Sequence, residues 1–255
     1  MKLSLATFSS FAFLFISSAF PASLTARAVE TCPANALSCS STAGSPCCSP
    51  TYGLLVLAQA WYQGLGPEDS FTMHDLWPES CGAGQVPESG CDNSRQYPNV
   101  EYILQRNQTL FNDMVMYWPS FRGPINYNEF WSHVWNKHGN CITTLNPKCF
   151  SNPKEYQDVY EFFATALQLH QIYDLYTILS NAGIVPGDSY SLDQFESAIQ
   201  SATGFMPKVT CKGSTLNEIW LYFNVRNGNE YLPTDRTGNS TCSRTRNINY
   251  PVKHG

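Results

Sequence analysis

The order of apolar segments along the 255-residue chain predicts an α+β fold in one domain. Three observations carry that reading. Strand-like and helix-like segments do not alternate regularly, which argues against a doubly wound parallel sheet. After residue 28 no repeat, low-complexity tract or Pro/Ser-rich linker interrupts the chain. The chain carries 10 cysteines, an even number, and all of them follow the N-terminal apolar segment, so five disulfides are expected.

The elements follow in order. Gly53 to Trp61 (GLLVLAQAW) is an apolar run of strand length, and Phe71 to Trp77 reads as a second strand. Val100 to Trp118 has helical apolar spacing. So has Asn128 to Lys137, with Gly139 as its expected C-cap. Val159 to Leu179 reads as one long helix or two, stopped by Asn181-Ala182-Gly183 and Pro186. Ser191 and Gln194 form a capping box that opens a helix to about Ala202. Val209 to Lys212 and Ile219 to Val225 read as strands.

Residues 1–28 read as a secretory signal peptide. Lys2 supplies the positive start, Leu3 to Phe20 is apolar with serines mixed in, and Ala26-Arg27-Ala28 offers an A-x-A cleavage site. A cut after Ala22 is the alternative. The serines weaken the reading as a membrane anchor, and no later stretch is long and apolar enough to span a bilayer. The expected product is residues 29–255, secreted to the extracellular space or delivered to a lysosome or vacuole. Losing Lys2 and Arg27 with the signal takes the net charge from −5 to −7. Such a chain has no general pull on nucleic acid, so a polyanion needs a local cluster of positive groups. Two sequons, at Asn107 and Asn239, mark expected glycosylation sites.

Chemistry concentrates in two segments. FWSHVWNKHGNC, from Phe130 to Cys141, holds two of the chain's 5 histidines and a lysine. A zinc helix would need histidines four apart with a glutamate between them. Here His133 and His138 are five apart, with Val134 after the first. No C-x-x-C pair exists either, so zinc is not expected. One reading of the segment is a core helix packed through Phe130, Trp131 and Trp135. The other is chemical, because FTMHDLWPESC (Phe71 to Cys81) supplies His74 from a distant strand. Two imidazoles and an ammonium suit a phosphodiester with an internal hydroxyl nucleophile. One ring removes a proton, the other donates one, and the cation steadies the anion between them.

The two segments resemble the paired active-site motifs of the ribonuclease T2 family of secreted acid ribonucleases, roughly F-T-x-H-G-L-W-P-D and F-W-x-H-E-W-x-K-H-G-T-C. The early cysteine cluster, GLLVLAQAW, GCDNSRQY and KVTCKGSTLNEIWLYFN resemble the fungal branch, and the likeness runs over nearly all of residues 29–255. The resemblance implies an α+β domain in which an antiparallel sheet carries His74 and helices pack around it. It implies that His138 is the general base, His74 the general acid, His133 the phosphate-positioning group, and Lys137 the cation at the phosphorane. Trp77 would stack on a base, Glu79 stands at the base-reading acidic position, and Gln59 and Phe130 fall where a second base site is built. The implied disulfides are Cys32–Cys48, Cys39–Cys81, Cys47–Cys149, Cys91–Cys141 and Cys211–Cys242. The implied activity is metal-independent cleavage of single-stranded RNA, first to 2′,3′-cyclic phosphates and then to 3′-phosphates. No cofactor, membrane or obligate protein partner is implied, and a monomer is expected.

Two departures bear on turnover. Val134 stands where the family has glutamate, one helical turn before His138, so that ring lacks its expected carboxylate. Asp75 stands where the family has glycine, and strand alternation points it away from the side of His74. Reduced activity is therefore expected. The alternative is an impaired protein of the same fold that acts by binding RNA or a host or cell-surface partner. Gln85 replaces an expected aromatic, which leaves base preference open.

Overall fold

The computed structural model describes residues 31–254. The expected signal peptide and its cleavage site lie outside the described residues. Seven strands form one sheet: β1 (Leu54–Ala60), β2 (Thr72–Glu79), β3 (Ser189–Tyr190), β4 (Lys208–Lys212), β5 (Thr215–Arg226), β6 (Glu230–Thr234) and β7 (Ile248–Asn249). The order is β2-β1-β5-β7-β3, with β4 and β6 also paired to β5. All pairings are antiparallel except the single parallel contact of β5 with β7. Six α-helices accompany the sheet among the described residues: α1 (Val100–Gln105), α2 (Gln108–Tyr117), α3 (Tyr127–Lys137), α4 (Gln157–Ile172), α5 (Leu175–Asn181) and α6 (Leu192–Thr203). None is long and apolar enough to cross a membrane.

The pleat sorts β1 and β5 into two faces. Leu55 and Leu57, with Ile219, Leu221 and Phe223, join the main core with Trp131, Val134 and Trp135 of α3 and Phe162 and Phe163 of α4. Leu54, Val56 and Tyr222 face the other way, where Trp77 and Trp220 pack over them. The sheet thus has one face buried under helices and one face that carries aromatics toward an open cleft.

Local chemistry explains where elements begin and end. The single helical pattern of residues 100–118 breaks at Asn107, whose side chain accepts from Leu110 N–H at 3.3 Å and starts α2. Residues 159–179 break at Asp174, which accepts from Thr177 N–H at 3.1 Å and starts α5. The capping box at Ser191 and Gln194 is present. Strand β6, EYLPT, is largely polar and contains a proline, so no apolar pattern marks it in the sequence. It follows the three-residue turn Asn227-Gly228-Asn229, whose positive φ values of 51° at Asn227 and 82° at Gly228 suit Asn and Gly.

Gly139 is not a left-handed cap, because α3 ends at His138 in right-handed geometry. Its role is steric. A Cβ there would meet Trp135 Cε3 at 2.5 Å and Phe162 Cγ at 3.2 Å, both in buried rings. Gly139→Ala is expected to cost about 1–3 kcal/mol by overpacking. Thermal unfolding should show it as a fall of about 2–4 °C per kcal/mol.

All five expected disulfides are present, with Cα separations from 4.9 to 5.5 Å. The buried Arg95 guanidinium donates to Asp158 at 2.9 Å and to the Asn140 carbonyl at 3.2 Å, so it braces the turn after α3. Asn107 and Asn239, the two sequon asparagines, are exposed.

Candidate active site

A cleft of about 630 Å³ opens on the aromatic face of the sheet. Strand β2 forms one wall through His74, Asp75, Trp77 and Glu79. Helix α3 and its cap form the other through Phe130, His133, Lys137 and His138. All four expected catalytic side chains therefore meet in one place, with Trp77, Glu79 and Phe130 of the expected substrate residues. Gln85 lines the same cleft.

Gln59 does not. It is fully buried on β1 and donates from Nε2 to the Tyr173 carbonyl at 2.9 Å. The pleat explains this, since Gln59 shares its side of β1 with Leu55 and Leu57, which face the helices.

Strand β2 departs from simple alternation. Ala58 pairs with Asp75 and Gln59 pairs with Met73, so His74 is an extra residue in a β-bulge. The bulge turns His74 and Asp75 to the same face. The expectation that Asp75 points away from the side of His74 is thus corrected. Asp75 is 4% exposed, and its Oδ2 lies 2.6 Å from His138 Nδ1. Its Oδ1 accepts from Leu76 N–H at 2.7 Å. The His74 carbonyl accepts from Trp118 Nε1 at 3.0 Å, which satisfies a backbone group at the bulge.

His74 has its own carboxylate. Its Nδ1 lies 3.0 Å from Glu218 Oε1, and Glu218 also accepts from Tyr62 Oη at 2.6 Å and from Trp220 Nε1 at 2.7 Å. Burial would push the His74 imidazole down. The Glu218 hydrogen bond and charge, with the charge of Asp75, outweigh burial and hold His74 above its ordinary value. Burial would likewise raise Glu218, but its bonds to His74, Tyr62 and Trp220 hold it below the ordinary carboxylate range. Both rings thus meet a carboxylate at Nδ1. An acceptor-only group there places a proton on Nδ1 and leaves Nε2 to exchange protons with a substrate.

The other groups complete the surface. Lys137 Nζ lies 2.7 Å from Glu88 Oε2, an exposed carboxylate that a substrate phosphate would have to displace. His133 and His138 have ring centroids 6.2 Å apart, and Trp77 lies 6.3 Å from His138. Glu79 accepts from Trp77 Nε1 at 3.0 Å and so fixes the indole plane. Lys208, over the Trp220 ring at 4.4 Å, and Tyr222 extend the cleft along the sheet. No cluster of His, Cys, Asp and Glu suited to a metal ion occurs among the described residues. The fourth described imidazole, His170, is buried elsewhere and bonds the Phe71 carbonyl at 2.8 Å.

Residues 47–243 match the ribonuclease T2 family. The chain is 40% identical over 226 residues to ribonuclease Rh of Rhizopus niveus, covering 88% of this chain and 93% of that protein. The chain belongs to the ribonuclease T2 family. Another T2 relative, ribonuclease T2 of Aspergillus oryzae, is 38% identical over 224 residues, covering 83% of this chain and 78% of that protein. The crystal structure of Actibind, a T2 ribonuclease, superposes with a TM-score of 0.82 at 35% identity, covering 89% of this chain and all of that one. Human RNase T2, at 24% identity and a TM-score of 0.60, shares the T2 fold. Within the T2 site, sequence reading missed Asp75 as a cleft partner and did not single out Glu218. A lone acid inside the strand-like run NEIWLYFN was the available signal for Glu218. For Asp75 the bulge removed the signal.

Proposed function

We propose that this chain is a secreted, metal-independent acid endoribonuclease acting on single-stranded RNA. The observation that carries the reading is the convergence of His74, His133, Lys137 and His138 on one cleft, with His74 held above its ordinary value. That geometry supports the following reaction, with the roles that the family resemblance implies. His138 Nε2 takes the proton of a 2′-hydroxyl, and O2′ attacks the adjacent phosphorus. Lys137 and His133 stabilise the charge on the phosphorane oxygens. As the bond from phosphorus to O5′ breaks, His74 Nε2–H protonates the leaving oxygen. The product is a 2′,3′-cyclic phosphate. In the second step the roles reverse, with His74 activating a water and His138 protonating O2′, to give a 3′-phosphate.

Trp77, with its plane set by Glu79, offers a stacking surface for a base, and Phe130 offers an apolar wall on the helix side. A signal peptide over residues 1–28, action as a monomer, and glycans at Asn107 and Asn239 belong to the same proposal. The impaired-protein reading rests on a carboxylate missing from position 134. His138 has a carboxylate partner in Asp75, which favours the enzyme.

The test is RNA hydrolysis from pH 4 to 8 with EDTA present. Cleavage through cyclic-phosphate intermediates, unaffected by EDTA and strongest at mildly acidic pH, is the expected result. No cleavage at any pH would overturn the proposal.

A further inference from the structure

In this site the ring that must accept the first proton is held from the opposite wall. His138 belongs to the end of α3, but its Nδ1 partner, Asp75, belongs to β2. The helix position one turn before His138 is Val134, which is 1% exposed, packs against the core and lines the floor of the cleft. Valine can neither accept a hydrogen bond nor balance a charge.

We propose that Asp75 is the positioning residue for His138, and that the carboxylate of this site has moved from the helix to the strand: Asp75 supplies what position 134 does not. The inference rests on the ribonuclease reading for its effect on turnover, but not for its effect on the ring. Three features support it. Asp75 is buried, so its contact with His138 is little diluted by water. Its other oxygen is occupied by the Leu76 amide, so the side chain has one available orientation. The bulge at His74 is the backbone feature that aims it into the cleft.

The same geometry says what an isosteric change does. In Asp75→Asn the Leu76 N–H must still be met by an oxygen. The amide nitrogen is then left facing His138 Nδ1. A donor there forces the ring to accept at Nδ1 and to carry its proton on Nε2, which is the wrong tautomer for a base. A change of this kind in a positioned histidine can cost several orders of magnitude. Here about 10²-fold in kcat is expected, with KM within about threefold, because the contact orients a group and does not bind substrate.

The geometry also forecasts an exchange. Val134→Glu alone adds a second acid beside a ring that is already held, so it should not raise kcat. In the Asp75→Gly background, however, glutamate at 134 regains the free Nδ1. The double variant should recover at least about tenfold over Asp75→Gly alone.

The experiment measures kcat and KM on a dinucleoside phosphate for wild type, Asp75→Asn, Asp75→Gly, Val134→Glu and the double variant. It also records imidazole nitrogen spectra of histidine-labelled wild type and Asp75→Asn. The expected results are a tautomer change confined to His138, a loss in kcat, and rescue only in the double variant. Equal kcat and an unchanged His138 spectrum in Asp75→Asn would overturn the proposal, whatever the other variants do. Should wild type cleave no RNA, the ribonuclease reading fails, while the spectra still decide whether Asp75 holds the ring. Asp75→Asn preserves volume, so the spectra remain readable if the glycine variants do not fold.

Discussion

Glu218→Gln is expected to lower kcat about 10²-fold and to move the alkaline limb of the pH–rate profile toward lower pH. As the proposed general acid, His74 must be charged to protonate the leaving oxygen. Burial acts against that charge, and the Glu218 carboxylate is the main group that restores it. A neutral amide leaves burial in control, so His74 loses its proton at lower pH. The profile of kcat/KM reads this directly, since it reports groups of the free enzyme. An unchanged alkaline limb would remove Glu218 from the account of the acid.

Stability follows the same pair, with opposite signs for its two members. The folded value of His74 lies above its ordinary 6.5, so its contribution is full below that value and is lost as pH rises through the folded one. The folded value of Glu218 lies below its ordinary 4.5, so its contribution is present above that value and is lost as pH falls through the folded one. The Tm difference between wild type and Glu218→Gln should therefore be largest at mildly acidic pH.

The second large effect is on folding. Replacing Cys47 and Cys149 with serine opens the bridge of longest sequence separation, 102 residues. The bridges Cys39–Cys81 and Cys91–Cys141 cut across that loop, so the shortest closed path is only roughly 26 residues. The entropy model then gives about 3.5 kcal/mol rather than the larger figure for the full span. For a chain of this size that corresponds to a fall in Tm of about 10 °C. Turnover well below the new Tm should be nearly unchanged, because neither cysteine lines the cleft. A loss under 1 kcal/mol would mean that the remaining bridges already restrain the unfolded chain.

Much of this architecture was legible because its causes are local. The capping box at Ser191 and the continuous apolar run of β1 each act within a few residues, and the structure contains them as read. The residues of the cleft were legible from motif resemblance, and His74, His133, Lys137 and His138 do meet. What was not legible depends on contacts across the fold. Asp75 was assigned to the wrong side because alternation assumes an unbroken ladder, and a bulge becomes visible only when β1 is laid beside β2. Gln59 was placed at a base site, yet the pleat turns it into the helices. Glu218 lies 144 residues from His74 in the chain and meets it because β1 bridges β2 and β5. Gly139 was read as a cap, whereas its necessity comes from the Trp135 and Phe162 rings beside it.

The bulge on β2 also sets the frame of reference for proton transfer. A glutamate on α3 would hold His138 relative to its own helix, so any shift of that helix would carry ring and holder together, away from the acid. Asp75 is joined to His74 by one peptide bond. The proposed base, His138, is therefore registered against the same stretch of backbone that bears the proposed acid, His74, and that backbone is tied to β1 and to Trp118. With that contact kept, a small displacement of α3 would be taken up in the side chain of His138, and its ring would stay in register with His74. On the proposed roles, the span between the two rings would thus be insulated from movements of the helix, and the looseness that a helix-borne carboxylate would pass on to the substrate would stop at the strand.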